Sequence, residues 1–202
     1  MSTQSSNLKG PLRERLLSLR NDIEPVRRNR LDHRICGHLV DFLGEHDALN
    51  LAGYVAFRGE PNLQPALQVL HQAGRRVHMP VLAEDRQAMN FRRWKPGAEM
   101  PTNRFGIPEP VNGHPCPPER LDVVITPLVA FSPAGVRLGM GAGFYDRTFH
   151  FRQHSPESGP LLMGAAYSVQ QVDSLPAESW DVPLDGIITE KGCSMFTPRR
   201  VG

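Results

Sequence analysis

Residues 137–147 combine the residue types that best suit a phosphate-binding loop. They read Arg-Leu-Gly-Met-Gly-Ala-Gly-Phe-Tyr-Asp-Arg, with glycine at the alternate positions 139, 141 and 143. Glycine lets a backbone approach a ligand closely and adopt positive φ. A helix that begins directly after this loop would point unpaired N–H groups and its positive dipole end at an anion. Arg137 could add a bidentate contact to the same anion.

Asp146 follows the glycines and would fall in the first turn of that helix. A carboxylate is favourable there, and it could hold Mg²⁺ beside a bound phosphate. The simpler alternative is a glycine-rich turn with an aspartate at a helix start. The loop fits neither G-x-x-x-x-G-K-[ST] nor G-x-G-x-x-G, so its spacing alone does not establish a nucleotide site.

Two helices are predicted before the first strand. The apolar residues of 12–20 and 26–43 recur at helical spacing, and Pro25 suits the first turn of the second helix. Residues 1–8 are predicted to be a flexible tail. The apolar positions are Leu12, Leu16 and Leu19 in the first helix and Leu31, Ile35, Leu39 and Phe42 in the second.

From residue 51 onward the pattern alternates between strands and helices. Strands are predicted at 51–57, 76–80, 89–94, 122–126, 161–166 and 186–189, with helices at 63–73 and 144–153. This alternation predicts a single three-layer α/β domain over residues 9–192 with a mainly parallel sheet, followed by a C-terminal tail at 193–202. Ligands of such sheets bind beyond the carboxyl ends of the strands.

Composition excludes several classes of protein. The chain has 202 residues, 40% hydrophobic and 22% charged, and no apolar run long enough to cross a bilayer. Three cysteines without a C-x-x-C pair argue against a disulfide framework or zinc site, and the cytoplasm is the expected compartment. The net charge of +2 does not imply a polyanionic partner, although residues 9–34 hold eight Lys/Arg against four Asp/Glu, or 8 − 4 = +4.

Five segments in register resemble the 5-formyltetrahydrofolate cyclo-ligase (methenyltetrahydrofolate synthetase) family. The first is LDVVITPLVAF at 121–131 with GVRLGMGAGFYDRTF at 135–149. The others are Lys9-x-x-Leu12-Arg13, YVAFRGE at 54–60, WKPG at 94–97 with NRFGIPEP at 103–110, and LP at 175–176 with WDVPLD at 180–185. The resemblance covers residues 9–190 and implies a Rossmann-like three-layer fold.

The resemblance also implies roles for individual residues. Glu60 would hold the folate head beside Val55 and loop residues 140–144, Asp146 and Asp181 would bind Mg²⁺, and Arg137 and Tyr145 would be catalytic. The implied ATP-binding residues are Lys9, Arg13, Arg137, Leu138, Gly139, Met140, Gly141, Ala142, Gly143, Phe144 and Tyr145. Two departures are Pro11, where relatives continue a helix, so that the helix could start later, and Ala142, where bacterial relatives commonly have glycine.

The implied reaction is the closure of 5-formyltetrahydrofolate to 5,10-methenyltetrahydrofolate, in which ATP phosphorylates the formyl oxygen and nitrogen 10 then displaces phosphate. The expected partners are these small molecules, with no nucleic acid and no membrane, and the expected state is a monomer. A sugar-phosphate isomerase or CoA-transferase relative, or a basic regulatory or nucleic-acid-binding protein, remain alternatives. Separately, Glu60 could be a solvated loop charge, Asp181 a turn residue, and Trp94 and Phe105 ordinary core.

Overall fold

The computed structural model describes residues 3–83, 88–153 and 159–196. Four α-helices are α1 (Thr3–Asn21), α2 (Pro25–Gly44), α3 (Gln64–Gln72) and α4 (Phe144–Thr148). Ten strands are β1 (Asn50–Ala52), β2 (Arg76–Leu82), β3 (Met89–Arg93), β4 (Pro115–Cys116), β5 (Val123–Pro127), β6 (Ala130–Phe131), β7 (Arg137–Leu138), β8 (Leu161–Ala165), β9 (Gly186–Thr189) and β10 (Gly192–Met195). All six predicted strands and both later helices are therefore present, with changed ends.

Eight strands form one sheet in the order β10-β9-β8-β5-β1-β2-β3-β4. The five strands from β9 to β2 pair in parallel, and the edge strands β10, β3 and β4 pair antiparallel. If the five parallel strands β1, β2, β5, β8 and β9 are renumbered one to five along the chain, their order across the sheet is 2-1-3-4-5. This is a doubly wound arrangement. Its topological switch point lies between β1 and β5, so a ligand crevice is expected beyond their carboxyl ends.

Apolar residues of the central strands alternate between the two faces of the sheet. Leu51 and Val123 pack in one core cluster with α2 and α3, whereas Ala52 and Val124 pack in a second cluster with Phe149. Successive strand residues point to opposite faces, so a sheet that is buried on both sides needs apolar residues at nearly every position. The predicted three-layer α/β fold with a mainly parallel sheet is confirmed.

Helix α2 begins where the sequence predicted it. Pro25 is in its first turn, where a missing N–H costs little, and the Glu24 carboxylate accepts from the N–H groups of Val26 and Arg27, both at 3.0 Å. Ile35 and Leu39 are fully buried against the sheet. The buried face that the apolar pattern of this segment predicts is therefore confirmed.

Helix α1 begins at Thr3, nine residues before the predicted start at residue 12, and Pro11 lies inside it. It therefore includes residues 3–8, which were expected in a flexible tail. An internal proline removes one helical hydrogen bond. Tertiary contacts on both sides offset this cost, because Lys9 pairs with Asp181 and Arg13 donates to the carbonyl of Gly139. The expectation of a later helix start was wrong for this reason.

Other element ends also differ from the predictions. β1 ends at Ala52, although 51–57 were predicted as strand. Apolar character predicts that a segment is buried, and a buried segment need not pair with a neighbouring strand. The predicted helix 144–153 divides into α4 and a 3₁₀ turn at His150–Gln153. β10 extends the sheet past the predicted domain end at residue 192, while 197–202 lie outside the described residues. The helices of the described ranges include none that is long and apolar enough to cross a membrane.

Candidate active site

A cavity of about 930 Å³ opens at the switch point, beyond the carboxyl ends of β1 and β5. This volume is at the upper end of the range of small-molecule sites, about 300–1,000 Å³. Every residue that the sequence predicted for the site lines the cavity: Lys9, Arg13, Val55, Glu60, all of 137–145, Asp146 and Asp181. Positions up to 172 residues apart in the chain therefore meet at one crevice.

The glycine-rich loop takes a conformation that depends on two of its three glycines. Gly141 has φ of 100° and Gly143, which precedes α4, has φ of 67°, whereas Gly139 is not in the left-handed region. A Cβ on Gly143 would lie 2.7 Å from a guanidinium nitrogen of Arg147. The Arg13 Nε donates to the Gly139 carbonyl at 2.8 Å, which fastens the loop to α1.

Arg137 and Asp146 form an ion pair beside this loop. The Arg137 Nη2 lies 2.6 Å from Oδ1 of Asp146, and its Nη1 donates to the carbonyl of Val182. Oδ1 of Asp146 also accepts from the Val182 N–H at 3.1 Å. Burial lowers the pKa of Arg137, and the charges of Asp146 and Asp181 oppose that shift. The guanidinium is thus held in place at the cavity wall by Asp146 and by the segment that follows Asp181.

Lys9 reaches the other predicted metal residue. Its Nζ lies 3.2 Å from Oδ2 of Asp181 and 3.8 Å from Oε1 of Glu178. Oδ2 of Asp181 also accepts from the Glu178 N–H at 2.9 Å, so Asp181 does form a turn. The two interpretations of Asp181, as a turn residue and as a site residue, are therefore compatible, since the carboxylate that closes the turn also lines the cavity.

The carboxylates at the cavity fit magnesium only in partnership with a phosphate. Across 3–83, 88–153 and 159–196, no three His, Cys, Asp or Glu side chains are grouped so that they could hold a metal alone. Mg²⁺, however, is usually bound by one or two carboxylates together with substrate phosphates and water. Described hydrogen bonds engage only Oδ1 of Asp146 and Oδ2 of Asp181, so each carboxylate keeps one oxygen for such an ion.

Glu60 is a buried carboxylate, and the reading of it as a solvated loop charge was wrong. It is only 9% exposed, and its Oε2 accepts from the Phe57 N–H at 3.0 Å. The turn it closes has left-handed backbone at Arg58 (φ 48°) and Gly59 (φ 80°). Burial raises the pKa of Glu60 to about 7, against the opposing effects of the Phe57 N–H and the Arg20 charge. The carboxyl is therefore poised to change charge near neutral pH.

Tyr145 lies close enough to Glu60 for their charges to interact. Burial raises the pKa of the Tyr145 phenol, with a smaller contribution from Glu60. Its ring stacks with that of Phe149, with centroids 6.4 Å apart, and the Arg137 guanidinium lies 5.9 Å from its ring centroid. Tyr145 therefore stays a neutral hydrogen-bond donor at physiological pH.

Aromatic side chains form an exposed rim around the cavity. Phe105 is 42% exposed and packs edge-on against Phe144, with centroids 5.9 Å apart, so it is not ordinary core. Trp180 is 56% exposed beside Asp181. Trp94, in contrast, is buried in the core on the α2–α3 face, as the simpler reading of it expected. The cavity thus pairs charged groups with apolar surface suited to a flat, partly apolar ligand.

From the sequence, no role was assigned to Arg20, which lies behind the cavity wall. Arg20 is fully buried, and it donates from Nη1 to the Leu128 carbonyl at 3.1 Å and from Nη2 to the Arg58 carbonyl at 2.7 Å. Its spacing was the available signal. Lys9, Arg13 and Arg20 differ by four and seven positions, which places them on one face of a helix.

Known proteins resemble this chain over most of its length. The family model of the 5-formyltetrahydrofolate cyclo-ligase family matches residues 5–190. The 5-formyltetrahydrofolate cyclo-ligase of Haemophilus influenzae is 35% identical over 191 residues, covering 93% of this chain and 99% of that protein. The one from Escherichia coli K12 is 37% identical over 173 residues, covering 84% and 93%.

Solved structures give the same result. The NMR structure of Aquifex aeolicus 5,10-methenyltetrahydrofolate synthetase has a TM-score of 0.81 at 30% identity, covering 96% of each chain. A 5,10-methenyltetrahydrofolate synthetase from Mycoplasma pneumoniae has a TM-score of 0.72 at 27% identity, covering 90% of this chain and 98% of that one. With a match over nearly its whole length in sequence and in fold, this chain belongs to the 5-formyltetrahydrofolate cyclo-ligase family.

Proposed function

We propose that this protein converts 5-formyltetrahydrofolate to 5,10-methenyltetrahydrofolate in a reaction that consumes ATP, requires Mg²⁺ and releases ADP and phosphate. The observation that carries this proposal is the shared cavity. It joins two basic residues of α1 and the glycine-rich loop, which suit a phosphate chain, to the buried carboxylate of Glu60, which suits the paired N–H donors of a pterin ring. The expected cytoplasmic location and monomeric state stay predictions.

The chemistry requires activation of a poor electrophile. The formyl carbonyl of an amide resists attack by nitrogen 10, and its oxygen is a poor leaving group. Transfer of the γ-phosphoryl group to the formyl oxygen gives an iminium phosphate. Nitrogen 10 then attacks the formyl carbon and releases its proton to solvent, the C–O bond breaks and phosphate departs. A protein that runs this sequence needs positioning and charge stabilisation rather than its own nucleophile.

The residues of the cavity supply these two requirements. Lys9 and Arg13 bind the phosphate chain from α1, and the loop 138–144 approaches it with backbone groups. Arg137, held by Asp146, faces the charge that develops on the transferred phosphoryl group. Mg²⁺, held by Asp146 and Asp181, would neutralise charge on the phosphates. Tyr145 donates its phenol proton as a hydrogen bond to the reacting oxygen.

The alternative functions account for less of the structure. A sugar-phosphate isomerase or CoA-transferase would use the glycine-rich loop but gives no role to Lys9 and Arg13 of α1 or to Asp181 beside Lys9. A nucleic-acid-binding protein would use the basic residues of both amino-terminal helices, of which Arg15, Arg27, Arg30 and Arg34 are exposed, but it gives no role to the basic residues that face inward. Lys9 and Arg13 line the cavity, and Arg20 is buried.

A direct assay tests the proposal. Purified protein is mixed with 5-formyltetrahydrofolate, and formation of the methenyl product is followed by absorbance with and without ATP and with and without Mg²⁺. We expect product only when both are present, together with one ADP released for each product formed. Product formation without ATP, or no product under any condition, would contradict the proposed function.

A further inference from the structure

We propose that Arg20 is a positioning residue for Glu60. It fixes the turn that carries Glu60 relative to the segment that follows β5, and it sets the pH range in which the Glu60 carboxylate accepts the pterin N–H donors. The proposal deepens the function proposed above and rests on it for the identity of the ligand. Arg20 itself does not line the cavity. It acts through Glu60.

The contacts of Arg20 span the topological switch point. One terminal nitrogen donates to Leu128, directly after β5, and the other to Arg58, in the turn that follows β1. A guanidinium has a rigid, planar fork of donors, so it fixes the separation of two acceptors better than a lysine could. These are the two chain segments whose divergence creates the crevice, and Arg20 connects them from α1.

The turn that Arg20 holds is one that needs support. Arg58 is the only non-glycine residue in the described ranges with positive φ, at 48°, a conformation that L-residues adopt at some cost. The carbonyl of this residue is the acceptor for Arg20. Two residues later the Glu60 side chain closes the same turn by accepting from the Phe57 N–H. Displacement of the Arg58 carbonyl would therefore move the carboxylate.

Charge links the two residues as well. Within the part of the chain that the structure describes, Arg20 is the one charged group whose interaction with Glu60 opposes the effect of burial on that carboxyl. The other titratable neighbours of Glu60 are the phenols of Tyr54 and Tyr145, both held neutral by burial. Arg28 of α2 lies near Arg20 and donates to the Arg20 carbonyl. The positive charge on Arg20 thus keeps Glu60 ionised over a wider pH range than burial alone would allow.

Two substitutions separate position from charge. Arg20→Gln removes the charge and the fork, and Arg20→Lys keeps the charge but loses the fork. Binding of 5-formyltetrahydrofolate and of ATP would each be measured by calorimetry from about pH 5 to about pH 9. Folate binding should strengthen as Glu60 ionises, because its carboxylate accepts the pterin donors.

In Arg20→Gln we expect the midpoint of folate binding to move up by about one pH unit, with about tenfold weaker folate binding at neutral pH. ATP affinity should stay within about twofold of wild type. In Arg20→Lys the midpoint should stay close to wild type, while folate affinity still falls at every pH. An unmoved midpoint in Arg20→Gln, or equal losses for ATP and folate, would overturn the proposal.

Arg75→Gln is the matched control. Arg75 also donates from its two terminal nitrogens to backbone carbonyls, those of Ala48 at 2.6 Å and Leu43 at 2.9 Å, but it does not contact the cavity. Loss of this similar clamp should lower stability without moving the pH midpoint of folate binding. A midpoint shift in Arg75→Gln equal to that of Arg20→Gln would show that the effect is general destabilisation.

A variant that leaves Arg20 in place covers the case in which Arg20→Gln does not fold. Gly59 has φ of 80°, so alanine in Gly59→Ala strains the backbone of the turn, and its Cβ would also lie 2.8 Å from the side-chain Oδ1 of Asn21. We expect weaker folate binding and unchanged ATP binding. Unchanged folate binding would refute the positioning role.

The pH dependence of unfolding tests the coupling without any ligand. The free energy of unfolding falls with rising pH as Glu60 ionises, and in Arg20→Gln this fall should continue to higher pH than in wild type. In the background of Glu60→Gln, the pH profiles with and without Arg20→Gln should have the same shape. If wild type forms no methenyl product, the proposed function fails while this coupling can still hold. If product forms but the profiles coincide, only the role of Arg20 fails.

Discussion

Glu60→Gln should make the protein more stable and less active. Burial raises the pKa of Glu60 from 4.5 to about 7 in the folded protein. A carboxyl whose folded-state pKa is raised binds its proton more tightly folded than unfolded, so stability falls as pH rises from about 4.5 to about 7. The shift of 7 − 4.5 = 2.5 units corresponds to about 3 kcal/mol at higher pH, as an order of magnitude.

Gln carries no charge and lacks this penalty, yet its amide oxygen can still accept from the Phe57 N–H. Urea unfolding of both proteins, from about pH 4 to about pH 9, gives the difference in free energy of unfolding at each pH. We expect the variant's advantage to grow through the interval between about 4.5 and about 7 and then level off. Glu99→Gln, at an exposed position, is the control and should show no such growth.

Activity should change in the opposite direction. A glutamine offers one acceptor oxygen and turns an N–H₂ toward a pterin donor, which costs about 1–3 kcal/mol, or roughly tenfold to a hundredfold in folate binding. Steady-state kinetics with 5-formyltetrahydrofolate varied at saturating ATP measures this loss. Parallel unfolding profiles for Glu60→Gln and wild type would refute the reasoning about burial. An unchanged folate KM and kcat would refute the assignment to the pterin.

The remaining predictions concern the phosphate end of the cavity. Asp146→Asn and Asp181→Asn should raise the Mg²⁺ concentration needed for half-maximal activity at least tenfold, and near-normal Mg²⁺ titrations would exclude that residue from the metal site. The asparagine keeps an acceptor oxygen, whereas alanine at 146 would leave a buried arginine unpaired and lower stability too. Lys9→Ala and Arg13→Ala should weaken ATP binding roughly tenfold to a hundredfold and folate binding much less, and calorimetric titrations showing equal losses would make α1 structural only. Gly143→Ala should reduce ATP affinity and stability together, because its φ is 67° and the Cβ would contact Arg147; unchanged ATP binding with a normal melting temperature would contradict this account of the loop.

The central strands were predictable from the sequence because burial on both faces requires apolar residues at almost every position. The run Val123–Pro127 is apolar at almost every position, as a central parallel strand requires. Strand direction at the sheet edges leaves no such pattern, so the antiparallel pairing of β3 and β10 appeared only in three dimensions. The end of β1 was missed for a related reason, since Tyr54 is buried without being in the ladder.

Residues that line the cavity were predictable where a residue type has an obvious chemistry, as in the glycine-rich loop, and where the family resemblance named a position, as at Glu60. Arg20 escaped because its role depends on where two backbone carbonyls lie, and no local pattern encodes that. The ion pairs of Lys9 with Asp181 and of Arg137 with Asp146 were also not predicted. Their partners had been assigned to ligands rather than to each other.

The contacts between the first and last parts of the chain constrain the order in which the molecule can assemble. Lys9 pairs with a residue 172 positions later, the His38 ring bonds the Thr189 carbonyl 151 positions later, and the Tyr167 hydroxyl donates to Asp32 across 135 positions. During synthesis, α1 and α2 leave the ribosome long before these partners exist. Helix α2 can pack early, because α3 and β1 follow it directly, whereas Leu16 of α1 packs against Val129 and Leu138. We therefore expect α1 to stay undocked through most of translation and the cavity to close only when the final strands are added.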